Sequence, residues 1–178
     1  MYPRESRSQN SEARRTGCDA YLDIETTGLS RDYAGLTVVG VALADEAPFQ
    51  VFQLVGDEIS AEGLLAILRP VGCLYTYNGR RFDLPFIRAK LGLDLARQFQ
   101  HVDLMYSCWR HQLKGGLKSV ERQVGIERQL PHVDGFMAVQ LWWEYVNTGN
   151  PEALDTLLAY NREDVLNLHT LRNRLGLP

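Results

Sequence analysis

Three short acidic segments are the part of this sequence best suited to chemistry. The first, DIETTGL, runs from Asp23 to Leu29; the second, YNGRRFDLPFI, contains Asp83; the third, YNREDVLNL, contains Tyr160 and Asp164. Carboxylate oxygens are the ligands that hard divalent cations such as Mg²⁺ prefer. If the fold brings the three segments together, they predict a site for divalent metal ions that activate water or stabilise a charged oxygen.

The first segment places two carboxylates on one face of a predicted strand. Side chains two residues apart in a strand project to the same side, so Asp23 and Glu25 point together while Leu22 and Ile24 point into the core. Two adjacent carboxylates repel each other unless a cation lies between them. A solvated strand end is the alternative, but the position inside an apolar strand, followed at once by Thr-Thr-Gly, favours a metal site.

The second segment follows an apolar stretch and leads into a predicted helix. Asp83 lies two residues before Pro85. Because Asp is favoured as a helix cap and Pro in the first helical turn, capping is the stronger interpretation of this segment taken alone. A helix start can also present a carboxylate at the end of a sheet, so Asp83 remains a candidate metal ligand.

The third segment lies on the last predicted helix, where the spacing is most informative. Leu157, Tyr160, Asp164, Leu168 and Leu171 recur at steps of three and four and share one stripe. The aspartate therefore interrupts the face that should be buried. An unpaired buried carboxylate costs several kcal/mol or takes up a proton, and a metal ion would remove that cost. A buried salt bridge to one of the arginines is the alternative.

Tyr160 lies one helical turn before Asp164 on the same stripe. Its hydroxyl would point toward the same site, where it could position a water molecule. A core tyrosine without a chemical role is the alternative interpretation.

The surrounding pattern predicts an α/β fold with a central mixed sheet flanked by helices. Strands are predicted at 20–26, 37–44, 49–54, 73–77 and around Val102, the second and third forming a hairpin across Asp45–Pro48. Helices are predicted from a Ser60 cap to Pro70, and at 85–91, 104–112, 117–124, 135–147 and from Pro151 to near Gly176.

Composition indicates one domain and excludes several classes of protein. The chain has 178 residues, 45% of them hydrophobic, and no apolar run approaching the ~20 residues of a membrane span. Residues 18–178 are predicted to form this single domain. Met1–Gly17 is predicted to be a disordered leader without the apolar region of a secretory signal, so a cytoplasmic location is expected. The net charge of −3 is unlike that of a basic nucleic-acid binder.

The three segments, in this order, resemble the three motifs of the DEDD superfamily of 3′→5′ exonucleases. Asp23 and Glu25 match the first motif, Asp83 the second and Asp164 the third. The superfamily divides by a fifth residue, and Tyr160, four positions before the last aspartate, resembles the tyrosine branch. The runs LKSVERQVGIER, VDGFMAVQLWWEY and YNREDVLNL are similar to the predicted YprB-like exonucleases, and the resemblance covers residues 19–175.

The resemblance implies a ribonuclease H-like fold and a site for two Mg²⁺ or Mn²⁺ ions held by Asp23, Glu25, Asp83 and Asp164, with Tyr160 orienting the attacking water. It also implies contacts to the terminal nucleotide of a nucleic acid. The residues expected to make those contacts are Thr26, Thr27, Gly28, Leu29, Asn78 and Lys118.

The expected activity is therefore metal-dependent 3′→5′ hydrolysis of single-stranded DNA or RNA. Two alternatives stay open. One is a non-catalytic nucleic-acid-binding or interaction module that kept the fold, which the low net charge favours; the other is a phosphodiesterase for short oligonucleotides, which a short chain permits. The choice between DNA and RNA and the oligomeric state do not follow from the sequence.

Overall fold

The computed structural model describes residues 17–44 and 49–177, which form five strands and seven α-helices. The strands are β1 (Cys18–Thr26), β2 (Leu36–Ala44), β3 (Gln50–Val55), β4 (Val71–Thr76) and β5 (Gln100–Asp103). The helices are α1 (Ala61–Leu68), α2 (Asp83–Leu91), α3 (Leu95–Gln98), α4 (Leu104–Arg110), α5 (Leu117–Gln123), α6 (Gly135–Thr148) and α7 (Pro151–Arg174). A short 3₁₀ helix, Gly56–Glu58, follows β3.

The strands form one mixed sheet in the order β3-β2-β1-β4-β5. The first three strands pair antiparallel as a meander, and β4 and β5 add in parallel to β1. The predicted α/β architecture with a mixed sheet is confirmed. The first strand lies in the centre of the sheet, so both of its faces are covered. Seven of its nine residues are therefore buried.

Alternation along β1 divides its side chains between two layers. Leu22 and Ile24 belong to the core beneath α1, α2 and α3, as the sequence predicts. Tyr21 packs on the opposite face with Val165 and Leu168 of α7. Because Asp23 and Glu25 share the face of Tyr21, the strand directs both carboxylates toward α7.

The last helix begins and packs as the sequence predicts. Asn150 caps it by accepting a hydrogen bond from the Glu152 N–H at 3.1 Å, and Pro151 is the first helical residue. All five residues of the predicted stripe are buried: Leu157, Tyr160, Asp164, Leu168 and Leu171. The predicted cap at Ser60 is also confirmed, with its hydroxyl accepting from the Gly63 N–H at 3.1 Å.

One local prediction is wrong, and one short helix has no prediction. The second helix begins at Asp83 rather than Pro85, and its cap residue is Phe82, so the interpretation of Asp83 as a helix cap is wrong. The short helix α3 is not predicted, because its four residues make about one turn and show no recognisable hydrophobic period.

Two predicted features fall outside the described residues: the leader, apart from Gly17, and the turn Asp45–Pro48 between β2 and β3. Among the residues that are described, every helix is too short or too polar to cross a bilayer.

Candidate metal centre

Three of the four predicted metal ligands converge on one point. One carboxylate oxygen each from Asp23, Glu25 and Asp164 lies within 4.8 Å of the others. The first two come from the end of β1, and the third comes from the middle of α7, 139 residues after Glu25. The convergence arises because the stripe of α7 packs on the face of β1 that carries the two acids. Oxygens at this spacing can share a divalent ion.

Asp83, the fourth predicted ligand, lies beside this group. Its Oδ1 accepts a hydrogen bond from the backbone N–H of Ile24, on β1, at 3.2 Å, and its side chain lines the same cleft as Asp23, Glu25 and Asp164. Its carboxylate is buried and close enough to raise the pKa of both Asp23 and Glu25. The second segment therefore reaches the site through the first residue of α2.

The acids raise one another's pKa values. Burial is the largest cause for each, and it raises the pKa of Asp23 and of Glu25 well above their usual values, with repulsion from Asp164 next. Burial also raises the pKa of Asp83 to about 7. For Asp164, burial raises the pKa to about 6, against the opposing effect of Arg128. The raised pKa values show that ionising these acids together is unfavourable, and a bound cation would remove part of that cost.

The salt bridge considered as an alternative for Asp164 is present. The guanidinium of Arg128 bonds Asp164, and it also pairs with Glu121 at 2.8 Å and with Glu163 at 3.1 Å. The Arg128 side chain is 5% exposed, so the network is shielded from solvent. Burial of Asp164 by itself therefore does not require a metal ion, because an arginine offsets part of the cost.

Carboxylates nevertheless outnumber cationic side chains at the site. The four predicted ligands and the two other acidic partners of Arg128 make six carboxylates, and the cationic side chains among them are Arg128 and Lys118. When ionised, these groups carry a net negative charge, which bound divalent ions would reduce. The donor set, all carboxylate oxygen, fits Mg²⁺ or Mn²⁺.

Tyr160 lies where the stripe predicts, between the carboxylates and two cations. It is 8% exposed, and the Nζ of Lys118 and the guanidinium carbon of Arg128 lie 4.9 and 5.3 Å from its ring centroid. Burial, followed by repulsion from Asp164, raises the pKa of the Tyr160 phenol far above its usual value. The hydroxyl therefore stays protonated at neutral pH and is available as a hydrogen-bond donor.

Lys118, which is predicted to contact substrate, does not line the cleft of the carboxylates. Among the residues described, its Nζ is buried and lacks a hydrogen-bond partner. Burial and the neighbouring Arg128 lower its pKa. It lines a neighbouring hollow with Arg122 and Arg128 rather than the cleft of the carboxylates. A direct contact with substrate would therefore need a rotation of its side chain.

The carboxylates lie in a cleft of about 570 Å³, which also contains five of the six predicted substrate contacts. Thr26, Thr27, Gly28 and Leu29 form one side of it, and the Leu29 side chain is 88% exposed. The Thr26 hydroxyl donates to the Gly28 carbonyl at 2.7 Å, which tightens this turn. Asn78 lies on the other side.

Asn78 adopts a left-handed backbone conformation with φ of 60°, which asparagine tolerates better than most residues. The buried carboxylate of Asp103 holds this loop, because it accepts from the backbone N–H groups of Asn78 at 2.8 Å and Arg80 at 3.0 Å. Asp103 thus shapes the wall of the cleft without lining it.

Four of the residues near the site make contacts that the sequence does not predict, although Arg128 is among the cations that could hold phosphates. Arg128 and Asn161 contact the acids, Phe136 of α6 lines the cleft while 73% exposed, and Gln53 contacts Asn161. A signal existed for Asn161, which is adjacent to Tyr160 and three residues before Asp164 and so lies on the edge of the same stripe. The other three depend on contacts between distant segments, which spacing along the chain does not reveal.

The mixed sheet, with an acidic cleft built from β1, α2 and α7, defines a ribonuclease H-like nuclease fold. The model of the RNase H superfamily matches residues 20–176, and the chain belongs to this superfamily. The predicted fold and family are therefore confirmed.

The chain is 30% identical over 167 residues to the uncharacterized protein YprB of Bacillus subtilis (strain 168), a match that covers 85% of this chain. The chain spans 40% of the length of YprB.

Solved structures support the same fold. A family B DNA polymerase from the archaeon Pyrobaculum calidifontis superposes with a TM-score of 0.69 at 16% identity, over 90% of this chain and 24% of the polymerase. NrnC of Brucella melitensis bound to pGG superposes with a TM-score of 0.63 at 21% identity, and NrnC with bound Mg²⁺ with 0.61 at 20%. Both NrnC matches cover 94% of this chain and 76% of NrnC.

Proposed function

We propose that this chain is a 3′→5′ exonuclease that hydrolyses single-stranded DNA or RNA with two Mg²⁺ or Mn²⁺ ions. The observation that carries the proposal is the convergence of Asp23, Glu25 and Asp164 within 4.8 Å, in a cleft that Asp83 also lines. When bound, the ions would stabilise the attacking and leaving oxygens of an in-line displacement. A module that only binds would not need four acids, three of them buried, held against mutual repulsion.

The chain's own residues would bind the substrate and orient the water. The exposed side chains of Leu29 and Phe136 at the cleft provide apolar surfaces against which a terminal base can pack. The Thr26–Leu29 turn and Asn78 offer polar contacts on either side. Lys118, whose Nζ is buried near the acids, would add positive charge and, after rotating, could contact a phosphate.

A second hollow, of about 550 Å³, offers a path for the phosphate backbone. Arg31, Arg80 and Arg88 line it, and Arg31 and Arg80 each lie two positions after a residue that lines the cleft. Its carboxylate, Asp94, already pairs with Arg88 at 3.5 Å and Arg97 at 3.4 Å. The hollow is locally positive although the chain as a whole is negative, and this local charge supports a nucleic-acid substrate.

The direct test uses end-labelled oligonucleotides. With Mn²⁺, a 5′-labelled single strand is expected to yield a ladder of progressively shorter products, whereas a 3′-labelled strand releases its label at once as a mononucleotide. EDTA abolishes both patterns. Release of the 5′ label as mononucleotide, or cleavage only in the interior of the strand, would contradict the proposed polarity.

A phosphodiesterase for short oligonucleotides is the second candidate. The observation that favours it is the similarity in fold to NrnC, whose structure was solved with pGG. Comparing hydrolysis of a dinucleotide with hydrolysis of a strand of about 20 nucleotides separates the two. A rate on the dinucleotide that exceeds the rate on the longer strand more than ~100-fold would favour the second candidate.

Replacing Tyr160 by Phe is expected to lower kcat by ~10–100-fold with little change in KM. The variant keeps the ring that packs against Lys118 and Arg128 but loses the hydroxyl that would orient the water. Steady-state kinetics with Mn²⁺ measures the effect. Tyr145→Phe on α6 removes a hydroxyl away from the cleft and serves as the control. Equal kcat for the two variants would assign Tyr160 a packing role alone.

A further inference from the structure

A row of three paired residues crosses the sheet beneath the site. Asp23 of β1 pairs with Gly40 of β2, and Gly40 pairs in turn with Gln53 of β3. Residues paired across neighbouring strands project to the same face of the sheet. Asn161 of α7, which is fully buried, lies over the middle of this row.

Asn161 connects the two ends of the row. Its Nδ2 donates to Oδ2 of Asp23 at 3.1 Å and approaches the backbone oxygen of the same residue at 3.4 Å. Its Oδ1 accepts from Nε2 of Gln53 at 3.0 Å, and Gln53 also donates to the Leu158 carbonyl at 2.9 Å. The candidate metal ligand is therefore linked to the outer strand through two amide side chains.

The link fixes which way the Asn161 amide faces. If the amide were turned over, its NH₂ would meet the NH₂ of Gln53 and its oxygen would meet the Asp23 carboxylate. Both contacts would be repulsive, and each would leave a buried polar atom without a partner, at about 1–3 kcal/mol apiece. Gln53 therefore holds Asn161 as a donor toward Asp23.

The absence of a side chain at residue 40 makes this arrangement possible. A Cβ on Gly40 would lie 2.1 Å from Oδ1 of Asn161 and 2.9 Å from its Cγ. These separations are far below van der Waals contact, so any other residue would displace the amide. The glycine is required here by close approach rather than by backbone conformation.

We propose that Asn161, oriented by Gln53 over Gly40, is a positioning residue that fixes the Asp23 carboxylate for metal binding. The inference rests on the proposed function, because Asp23 must be a metal ligand for its orientation to matter. Asn161 holds one oxygen of Asp23 and so restricts rotation of this carboxylate. The restriction keeps Asp23 in its place beside Glu25 and Asp164. Hydrogen-bonded partners of this kind typically change metal affinity or activity by 10–100-fold.

Titration calorimetry with Mn²⁺, with substrate absent, tests the proposal on the full chain. Asn161→Leu has a similar volume and no donor, and we expect it to weaken Mn²⁺ binding by ~10–100-fold. Asn173→Leu makes the same change at an exposed position near the end of α7 and is expected to bind Mn²⁺ as the wild type does. Saturating Mn²⁺ is expected to restore kcat in Asn161→Leu, which a general disruption of the fold would not allow.

Gln53→Met provides the second variant in case Asn161→Leu does not fold. It leaves Asn161 in place but removes the donor that orients its amide, and Gln53 is only partly buried, so the fold is expected to tolerate it. We expect a loss of Mn²⁺ affinity of about 3–10-fold, smaller than for Asn161→Leu because the link is indirect.

The outcomes separate the two proposals. A wild-type chain that binds Mn²⁺ while a folded Asn161→Leu, or Gln53→Met in its place, binds it equally tightly would overturn the positioning role and leave the proposed function standing. A wild-type chain that does not bind Mn²⁺ at all would overturn the proposed function and the positioning role together. Weaker binding in the variants with wild-type binding in Asn173→Leu supports both.

Discussion

Asp164→Asn is expected to reduce Mn²⁺-dependent hydrolysis by at least ~1,000-fold, equivalent to ~4 kcal/mol of lost transition-state stabilisation. The substitution keeps the shape of the side chain but removes a charge from a group of three oxygens that lie within 4.8 Å. The remaining acids would hold the ions too weakly and in the wrong geometry for displacement at phosphorus. Rates on a 5′-labelled single strand, compared over a range of Mn²⁺ concentrations, measure the effect.

The ion pair with Arg128 makes a control necessary, because Asp164→Asn weakens that pair as well. Glu163→Gln is the matched variant, since Glu163 is the adjacent residue and also bonds Arg128 but lies outside the carboxylate group. We expect it to change kcat by less than ~3-fold, because Arg128 keeps its pairs with Glu121 and Asp164. Equal loss in both variants would assign the effect to the Arg128 network, and unimpaired hydrolysis by Asp164→Asn would exclude the proposed chemistry.

The stability of the protein is expected to fall as the pH rises when metal is absent, but not when metal is bound. In EDTA, the melting temperature is expected to fall by about 5 °C between pH 5.5 and 7.5; with excess Mn²⁺ it is expected to stay level or rise. The reason is that the fold raises the pKa of Asp83 to about 7 and of Asp164 to about 6, and raises the pKa values of Asp23 and Glu25 well above their usual values.

The sign of this dependence follows from the direction of the shifts. An acid whose pKa is raised on folding binds its proton more tightly in the folded state, so the contribution of that proton to stability is complete below the unfolded pKa, near 4, and is lost as the pH rises toward the folded pKa. Bound Mn²⁺ requires the ionised carboxylates, so its contribution grows over the same range.

Differential scanning calorimetry with EDTA or Mn²⁺ checks this dependence, and Asp83→Asn provides the control. The amide does not titrate, so the metal-free curve of the variant is expected to be flatter between pH 5.5 and 7.5 than that of the wild type. Melting curves that respond to pH identically in EDTA and Mn²⁺ would show that the acids do not hold a divalent ion.

The elements that carry the candidate site were predictable because their patterns are local. The alternation along β1 separates Leu22 from Asp23, and the three-and-four spacing along α7 identifies the face that contains Asp164. Both patterns arise from the pitch of a single element, so they can be recognised without knowing what that element packs against. The cap at Asn150 is local for the same reason.

The environment of each acid was less predictable. The stripe shows that Asp164 is buried, but a metal ion and an arginine both satisfy a buried carboxylate, and the sequence leaves that choice open. Only the packing of the segment after α5 against α7 reveals that Arg128 is the arginine. Capping was favoured for Asp83 because that role depends on a local turn, whereas its actual partner is the N–H of Ile24, 59 residues away.

Local patterns predict the mixed α/β architecture, the two acids on β1, and the acid and tyrosine on the buried stripe of α7, because strand alternation and helix pitch are properties of short segments. The packing of distant segments sets the rest: the Asp23, Glu25 and Asp164 oxygens lie within 4.8 Å of one another, Arg128 shares the site, and Asn161 lies over Gly40. Those contacts join segments far apart in the chain, and their geometry is set by how helix and sheet pack together rather than by the spacing of residues within either.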